Sequence, residues 1–332
     1  MTLAFSDGVV EMETIQKIAL QQIDVVDETF SVNFMADLGR LRSSIQELGL
    51  IQPVLLRKKQ DRYQIICGFR RIFVFLELEI PEIEARVFED KGTEDFRLFS
   101  ISLHENLTTR GFNTVEKAIA LEKLIHHFQI DPIIVVKTFL PLFSLEPNEK
   151  ILNTYLSLAQ MEDELKKYIL KEEVSRFNIR IFSAFTPEDR MALLSLISPL
   201  KLGENHLREM LTLLEEISRR DRCGVREIVG RPEIVAILSG RELTPSQRTE
   251  QVRRVLMDFR YPEMRQCEEK FEKKRKELNL PFNVSIHHPP FFDGTGLRVE
   301  FRFETVEEYR SILNSLVLLG DKKEFHEMMH GH

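Results

Sequence analysis

Two clusters of side chains in this sequence have the types and spacing to handle a phosphate group. The first is Tyr63-Gln-Ile-Ile-Cys-Gly-Phe-Arg-Arg71, where a short apolar run ends at Gly68 and two arginines follow. A residue without Cβ at a strand-to-helix junction lets main-chain N–H groups approach an anion, and a helix start adds its partial positive charge. Arg70 and Arg71 place fixed, multidentate donors at the same bend. Read this way the stretch is a phosphate cradle. Read plainly it is a tight turn with two solvated arginines, and short glycine motifs do not separate the two. The second cluster is Glu105-Asn106, where an apolar helix is expected to give way to Thr108-Thr-Arg-Gly111. A carboxylate beside an amide can hold a hydrated Mg²⁺ or orient a water, as phosphate chemistry requires. Equally, the pair is a polar helix end.

The elements that must position these groups follow from period and punctuation. Alternating apolar positions over 14–25 read as a first strand, and Leu38, Leu41, Ile45 and Leu48 mark a helix stopped by Gly49. Gln52–Arg57 reads as a strand and Lys58–Arg62 as its polar turn into a second, carrying Tyr63, Ile65 and Ile66. A helix over 70–78 follows, with Phe73, Leu76 and Ile80 at helical spacing, then a strand at Ile83–Phe88 and a helix at Phe96–His104. Residues 1–112 therefore read as an α+β unit.

From 113 to 245 the pattern is all-helical. Asn113 is a good N-cap with Glu116 at the capping-box position, and Asp131-Pro132 opens the next helix. Phe139-Leu-Pro-Leu-Phe143 reads as an apolar, proline-broken turn, and Glu146–Lys150 turns into a helix over Ile151–Leu158. His126-His127 lacks matched acidic or cysteine ligands, so a packed or surface pair is favoured over a metal site. From 246 to 332, a basic helical stretch ends in Lys273-Lys-Arg-Lys276, with Pro262 as a kink. It fits either a helix touching nucleic-acid backbone or a solvated charged helix. Phe282–His287 and Leu297–Phe303 alternate like paired strands around Asp293-Gly-Thr-Gly296. Thr305 then caps a helix with Leu313, Leu316 and Leu319, Glu308 completing a capping box. His326, His330 and His332 read as a disordered tail.

Composition narrows the class. With 43% hydrophobic and 30% charged residues, the chain is a soluble, mainly helical globular protein of two or three domains. No apolar run approaches membrane-span length, and Met1–Asp7 lacks a basic start before an apolar core, which makes the cytoplasm the expected location. A net charge of −7 argues against a generic polyanion binder, though not against a local basic face. Cys67, Cys223 and Cys267 are odd in number and lack CxxC spacing, so neither a disulfide framework nor zinc is indicated.

Taken together, Leu41-Arg-Ser-Ser-Ile-Gln-Glu-Leu-Gly-Leu-Ile-Gln-Pro-Val-Leu-Leu-Arg57, Ile65-Ile-Cys-Gly-Phe-Arg-Arg71 and Glu105-Asn-Leu107, with Asn113 and Glu116 beyond, resemble the ParB family. In that family the order is a GLIQP-like helix end, a G-E-R-R motif and an E-N-[IL]-Q-R motif, and this chain agrees with it in order and spacing. The resemblance implies an N-terminal fold that binds CTP with Mg²⁺, hydrolyses it slowly in active members, and switches a DNA clamp. It places Gly68, Phe69, Arg70, Arg71, Asn106 and Arg110 at nucleotide-binding positions, with Gln52 and Pro53 near the base. Glu105 and Asn106 would serve Mg²⁺ and water, Glu105 as the catalytic residue. Helix-turn-helix at 131–158 would be a degenerate form of the family's DNA-binding segment, with Lys150, Asn153 and Thr154 facing DNA. Gly296–Phe301 before Glu307–Leu313 looks like the family's C-terminal ββα module and implies a homodimer.

Two departures bear on chemistry. Phe69 replaces the acidic residue of G-E-R-R, and Thr108-Thr109 replace the Gln-Arg after Glu-Asn-Leu, with Arg110 one place late. They set turnover below binding, at most a weak CTPase. The related fold of sulfiredoxin has its catalytic cysteine after the glycine, where this chain has Phe69. Cys67 precedes the glycine in a strand and reads as a structural thiol. No clustered carboxylates support a two-metal nuclease. The expectation is a DNA-associated, CTP-dependent switch in chromosome or plasmid partition or transcription regulation. The rival is a non-catalytic interaction protein that keeps the scaffold without nucleotide turnover or specific DNA binding.

Overall fold

Along Glu82–Phe88 exposed and buried residues alternate, whereas Ile65, Ile66 and Cys67 are all buried in succession. The first pattern suits a strand with one solvent face; the second suits a strand covered on both sides. The computed structural model describes residues 15–88, 94–240, 242–289 and 296–330, and places these strands accordingly. Packing divides the chain into two units, 1–191 and 192–332.

In the first unit the strands are β1 (Gln16–Ala19), β2 (Ile23–Asp24), β3 (Val54–Lys59), β4 (Arg62–Cys67) and β5 (Glu82–Phe88). They form one sheet in the order β1-β5-β3-β4-β2. β3 and β4 make an antiparallel hairpin, while β3 pairs with β5 in parallel through a crossover that contains helix α2 (Phe69–Glu77). Helix α1 (Gly39–Leu48) ends at Gly49, whose φ of 73° supplies the left-handed turn. Helix α3 (Asp95–Thr109) buries Leu98, Phe99 and Leu103. The α+β reading of this region holds in the structure.

Several local expectations need correction. The polar turn after β3 is shorter than read, because Lys58 and Lys59 still pair with Tyr63 and Arg62. The face of α2 that is buried consists of Phe69, Ile72, Val74 and Phe75, not the Phe73–Leu76–Ile80 stripe; Leu76 is 40% exposed. Helix α3 runs on through Glu105 and Asn106 to Thr109, so this pair lies in its last turns rather than beyond its end. The segment read as proline-broken is helical from Pro132 to Leu142. A wide turn over Val135–Phe139, in which the Leu140 N–H reaches back to the Val135 carbonyl, makes room for the Pro141 ring. Helix α4 (Thr114–Glu122) follows the α+β part and packs against the helix Glu149–Ala159.

In the second unit, helices Glu204–Asp221 and Pro245–Arg260 pack side by side. They bury Leu207, Leu211, Leu214, Val252 and Leu256. Ion pairs Glu209–Arg253 at 2.9 Å and Glu216–Arg260 at 2.7 Å recur one heptad apart along their seam. Arg220 donates to the carbonyls of Phe259 and Arg260, so it closes a helix end. Pro262 does not kink a continuous helix but starts a new one, Pro262–Glu277, after Tyr261 leaves helical geometry. Strands β6 (Val284–His287) and β7 (Arg298–Phe301) pair antiparallel before the helix Val306–Leu319. The turn residues Asp293 to Thr295, and His332, lie outside the described residues.

Thr305 accepts from the Glu308 N–H as expected, but the Glu308 carboxylate accepts from the Glu304 N–H and so makes only half a capping box. The tail read as disordered contains a helix, Lys323–His330, whose Met328 is buried with Phe271, Leu278, Ile286 and Leu319. Its signal was Phe325 and Met328 at helical spacing after the Gly320-Asp321 break.

One position tests this architecture directly. Gly68 has φ 98°, and a Cβ there would lie 2.6 Å from Val54 Cγ1; Gly49 has φ 73° with nothing within 4 Å. Gly68→Ala is expected to cost about 2–5 kcal/mol, backbone strain plus overpacking. Gly49→Ala should cost only about 1–2 kcal/mol, from strain alone. Denaturant unfolding followed in the first unit checks both; equal losses would count against the close approach of β3 to Gly68.

Candidate functional site

Gly68 ends β4 and opens α2, and its positive φ turns the chain so that Arg70 and Arg71 leave the first helical turn on one side. Each guanidinium meets a different set of partners. Arg71 donates through Nη1 to the carbonyls of Gln52 (2.9 Å) and Pro53 (3.1 Å), and through Nη2 to Glu105 Oε1 at 2.7 Å. Arg70 donates through Nε to Asn33 Oδ1 at 3.0 Å and through Nη2 to Glu116 Oε1 at 2.6 Å. The two clusters singled out in the sequence are thus on the same side of the domain, joined by the Arg71–Glu105 pair.

Arg110 completes the arrangement. It sits just past the end of α3, where its backbone has left helical geometry. Its Nε donates to Asn106 Oδ1 at 2.9 Å, and its Nη1 to Glu116 Oε2 at 2.8 Å. Through Glu116, Arg110 is thus brought to the same side of the domain as Arg70. Asn106 in turn donates to the Ser102 carbonyl at 2.8 Å, while Thr108 and Thr109 spend their hydroxyls on the Glu105 carbonyl. Such back-bonding is the ordinary use of Thr at a helix end.

These residues line a cavity of about 200 Å³ walled by Phe30, Val32, Leu41 and Phe69 and by the polar groups of Gln52, Gly68, Arg70, Arg71, Glu105, Asn106 and Arg110. Three guanidinium groups face two carboxylates, which leaves one positive charge before the start of α2 adds its own. Burial, then the neighbouring Arg110, pulls the Arg70 guanidinium below its ordinary value, while Glu116 pulls the other way. The site can accept an anion. Its resident carboxylates already engage much of the donor set.

Of the residues the sequence reading assigned to a nucleotide, Gln52, Gly68, Phe69, Arg70, Arg71, Glu105, Asn106 and Arg110 line this cavity; Pro53 does not, and only its carbonyl meets Arg71. It missed Asn33, which accepts from both Arg70 and Arg110, and it saw Glu116 as a helix cap and as part of the family pattern, not as a partner of Arg70 and Arg110. Asn33 lies in an irregular loop with no periodic signal. For metal, Glu105 offers a second carboxylate oxygen beyond the one on Arg71, and among the described residues no three His, Cys, Asp or Glu side chains gather as a metal cage.

Elsewhere in the first unit, the helix Glu149–Ala159 carries Lys150 and Asn153 exposed, but Thr154 is buried with its hydroxyl on the Lys150 carbonyl. Of the three residues assigned to DNA, Thr154 therefore presents no side chain to solvent. Cys67 is buried and its thiol is pushed up to about 12, by burial first and then by the Glu105 charge.

Residues 6–107 match the ParB N-terminal domain. The nucleoid occlusion protein of Bacillus thuringiensis (strain Al Hakam) is 24% identical over 204 residues, covering 61% of this chain and 67% of the relative. That of Shouchella clausii (strain KSM-K16) is 34% identical over 116 residues, 34% of this chain and 39% of the relative. Two crystal structures of C-terminally truncated chromosome-partitioning protein ParB from Caulobacter crescentus are also similar. One, complexed with CTP-gamma-S, is 20% identical with a TM-score of 0.26 and covers 53% of this chain and 94% of that one. The other, complexed to the centromeric parS site, is 17% identical with a TM-score of 0.34 and covers 64% and 95%.

The state of Cys67 is directly measurable. A thiol reagent at pH 8 is expected to label Cys223 and Cys267, which are partly exposed, and to leave Cys67 unmodified until the first unit unfolds. Fast labelling of Cys67 in the folded protein would restore a redox or nucleophilic role to it.

Proposed function

Because this chain belongs to the ParB family through its N-terminal domain, we propose that it is a nucleotide-dependent, DNA-associated switch whose ligand is CTP. The observation that carries the proposal is the convergence of Gly68, Arg70, Arg71 and Arg110 with Glu105-Asn106 around one cavity. The triphosphate would lie against the Gly68 bend and the guanidinium groups, and the base toward Gln52 and Pro53. Mg²⁺, held by Glu105 and by the nucleotide's own oxygens, would neutralise phosphate charge; one protein carboxylate is enough for that mode of binding. Asn106 and Arg110 position each other at the cavity wall. With Phe69 where the family has an acid, and Glu105 paired to Arg71, binding is proposed to outrun turnover.

DNA would be met by the helix Glu149–Ala159 through Lys150 and Asn153. A homodimer would form through the C-terminal module. On its helix Val306–Leu319, Val306, Tyr309, Leu313 and Val317 recur at helical spacing yet are 60, 37, 38 and 72% exposed. The rings of Phe301 and Phe303 lie 6.1 and 4.9 Å from Tyr309. So much apolar surface on one small module calls for a partner. No helix among the described residues is long and apolar enough to cross a membrane. A place on the nucleoid in the cytoplasm, in chromosome partition or nucleoid occlusion, fits the relatives' names.

A second reading has its own support: the resident pairs Arg71–Glu105 and Arg70–Glu116 satisfy the guanidinium groups without any ligand. On that reading the chain is an interaction protein that keeps the scaffold alone.

Isothermal titration with CTP, ATP and GTP plus Mg²⁺ decides between them. Heat for CTP alone, weakened at least about tenfold by Arg71→Ala, a loss of about 1.4 kcal/mol or more, is the expected result; silence for all three nucleotides would leave the scaffold reading. In sedimentation, the full chain should run as a dimer and Leu313→Glu/Val317→Glu as a monomer. A monomeric wild type would remove the proposed dimer.

A further inference from the structure

Glu116 is 1% exposed, yet it carries four bonds, two on each oxygen. Oε1 accepts from Arg70 Nη2 at 2.6 Å and from the Phe34 N–H at 3.4 Å. Oε2 accepts from Arg110 Nη1 at 2.8 Å and from the Asn113 N–H at 3.2 Å. Each oxygen thus divides itself between a guanidinium of the cavity and a main-chain amide. The second amide belongs to the N-cap of α4, where the Asn113 side chain accepts in return from the Glu116 N–H at 2.8 Å.

We propose that Glu116 is a resident competitor for the anion, and that an anion bound at Arg70 and Arg110 releases the start of α4. This rests on the nucleotide reading of the cavity. A polyphosphate brings several negative charges to guanidinium groups that already serve a buried carboxylate. Two anions sharing the same cations in a poorly solvated place repel each other strongly. The ligand cannot be compromised without losing affinity, so the strain falls on Glu116, whose remaining holds are two long amide bonds.

Those two amides mark where the α+β part meets the helices that follow. Phe34 lies in the loop before α1; its carbonyl accepts from Asn113 Nδ2 at 3.3 Å, and its ring faces Lys166 Nζ at 5.9 Å. Asn113 starts α4, which packs on the helix proposed to meet DNA. One carboxylate therefore reports the charge state of the cavity to the first turn of the helical segment. The merely structural role of the same residue would be to aim Arg70 and Arg110 at the ligand, and it predicts the opposite signs.

The experiment is titration of wild type and Glu116→Gln with CTP and with inorganic triphosphate, joined to hydrogen exchange on wild type with and without CTP. Glu116→Gln is expected to bind both anions at least about tenfold more tightly, about 1.4 kcal/mol. In wild type, CTP should slow exchange at 68–72 and accelerate it several-fold at Phe34 and Asn113, against the usual protection by a ligand. Equal or weaker binding by Glu116→Gln, or slowed exchange at Phe34 and Asn113, overturns the competitor while leaving the nucleotide reading intact. No binding of either anion to either protein overturns the nucleotide reading and the competitor with it. Should Glu116→Gln not fold, the wild-type exchange pattern decides alone.

Discussion

Val54 leaves no room for a side chain at residue 68, and the rest of the site follows from that contact. With a Cβ excluded and φ at 98°, the chain must leave β4 and enter α2 through a bend that only glycine makes without strain. The bend sets the direction of the first turn of α2, and the first turn sets where Arg70 and Arg71 emerge. Arg71 then reaches the carbonyls that lead into β3, and Arg70 reaches the loop that precedes α1. Two loops and two helices are tied to α2 by two side chains whose positions depend on a missing methyl group.

Charge is the second constraint. Three guanidinium groups so close together would repel without counterions, and Glu105 and Glu116 supply them from α3 and α4. The pairs are half-buried or deeper, where breaking one partner costs far more than the pair itself contributes. Any ligand must therefore offer the arginines something better than a carboxylate already in place. The triphosphate of the proposed reading, with more charge and several acceptor oxygens, would do so better than a single small anion.

What could be read from the sequence divides along physical lines. Gly68, Arg70, Arg71, Glu105 and Asn106 were legible because a glycine between a strand and a helix, and a carboxylate beside an amide, have chemistry of their own. The β3–β4 hairpin and α1 were legible from apolar period and Gly49. The buried face of α2 was not, since Phe69, Ile72, Phe73, Val74, Phe75 and Leu76 are all apolar and periodicity cannot choose among them. Asn33 was invisible because loop residues reach a site through tertiary structure alone. Glu116 was seen at half its role: the capping box is local, and the ion pair with Arg70 spans forty-six positions. Pro141 misled because a proline normally ends a helix, and the wide turn before it is not written in any single residue.

On the proposed reading, the helix Glu149–Ala159 has to hold DNA with little charge. Lys150 is its one cation, Glu149 stands beside it, and the chain as a whole carries −7. Each phosphate contact contributes a salt-dependent term, with log K falling by about 0.9 per contact per decade of salt, so few contacts give weak and salt-insensitive binding. Affinity must then come from base edges read by residues such as Asn153, or from two copies acting together. The exposed apolar stripe of Val306–Leu319 makes the second route available: linking two weak sites raises effective affinity by about 10²–10⁴ without a new contact, provided both can engage at once. A protein built this way would lose its hold on DNA whenever the geometry between the two copies changed. On the same reading a nucleotide would act through the helical segment after Asn113, because α4 packs directly on the helix proposed to hold DNA.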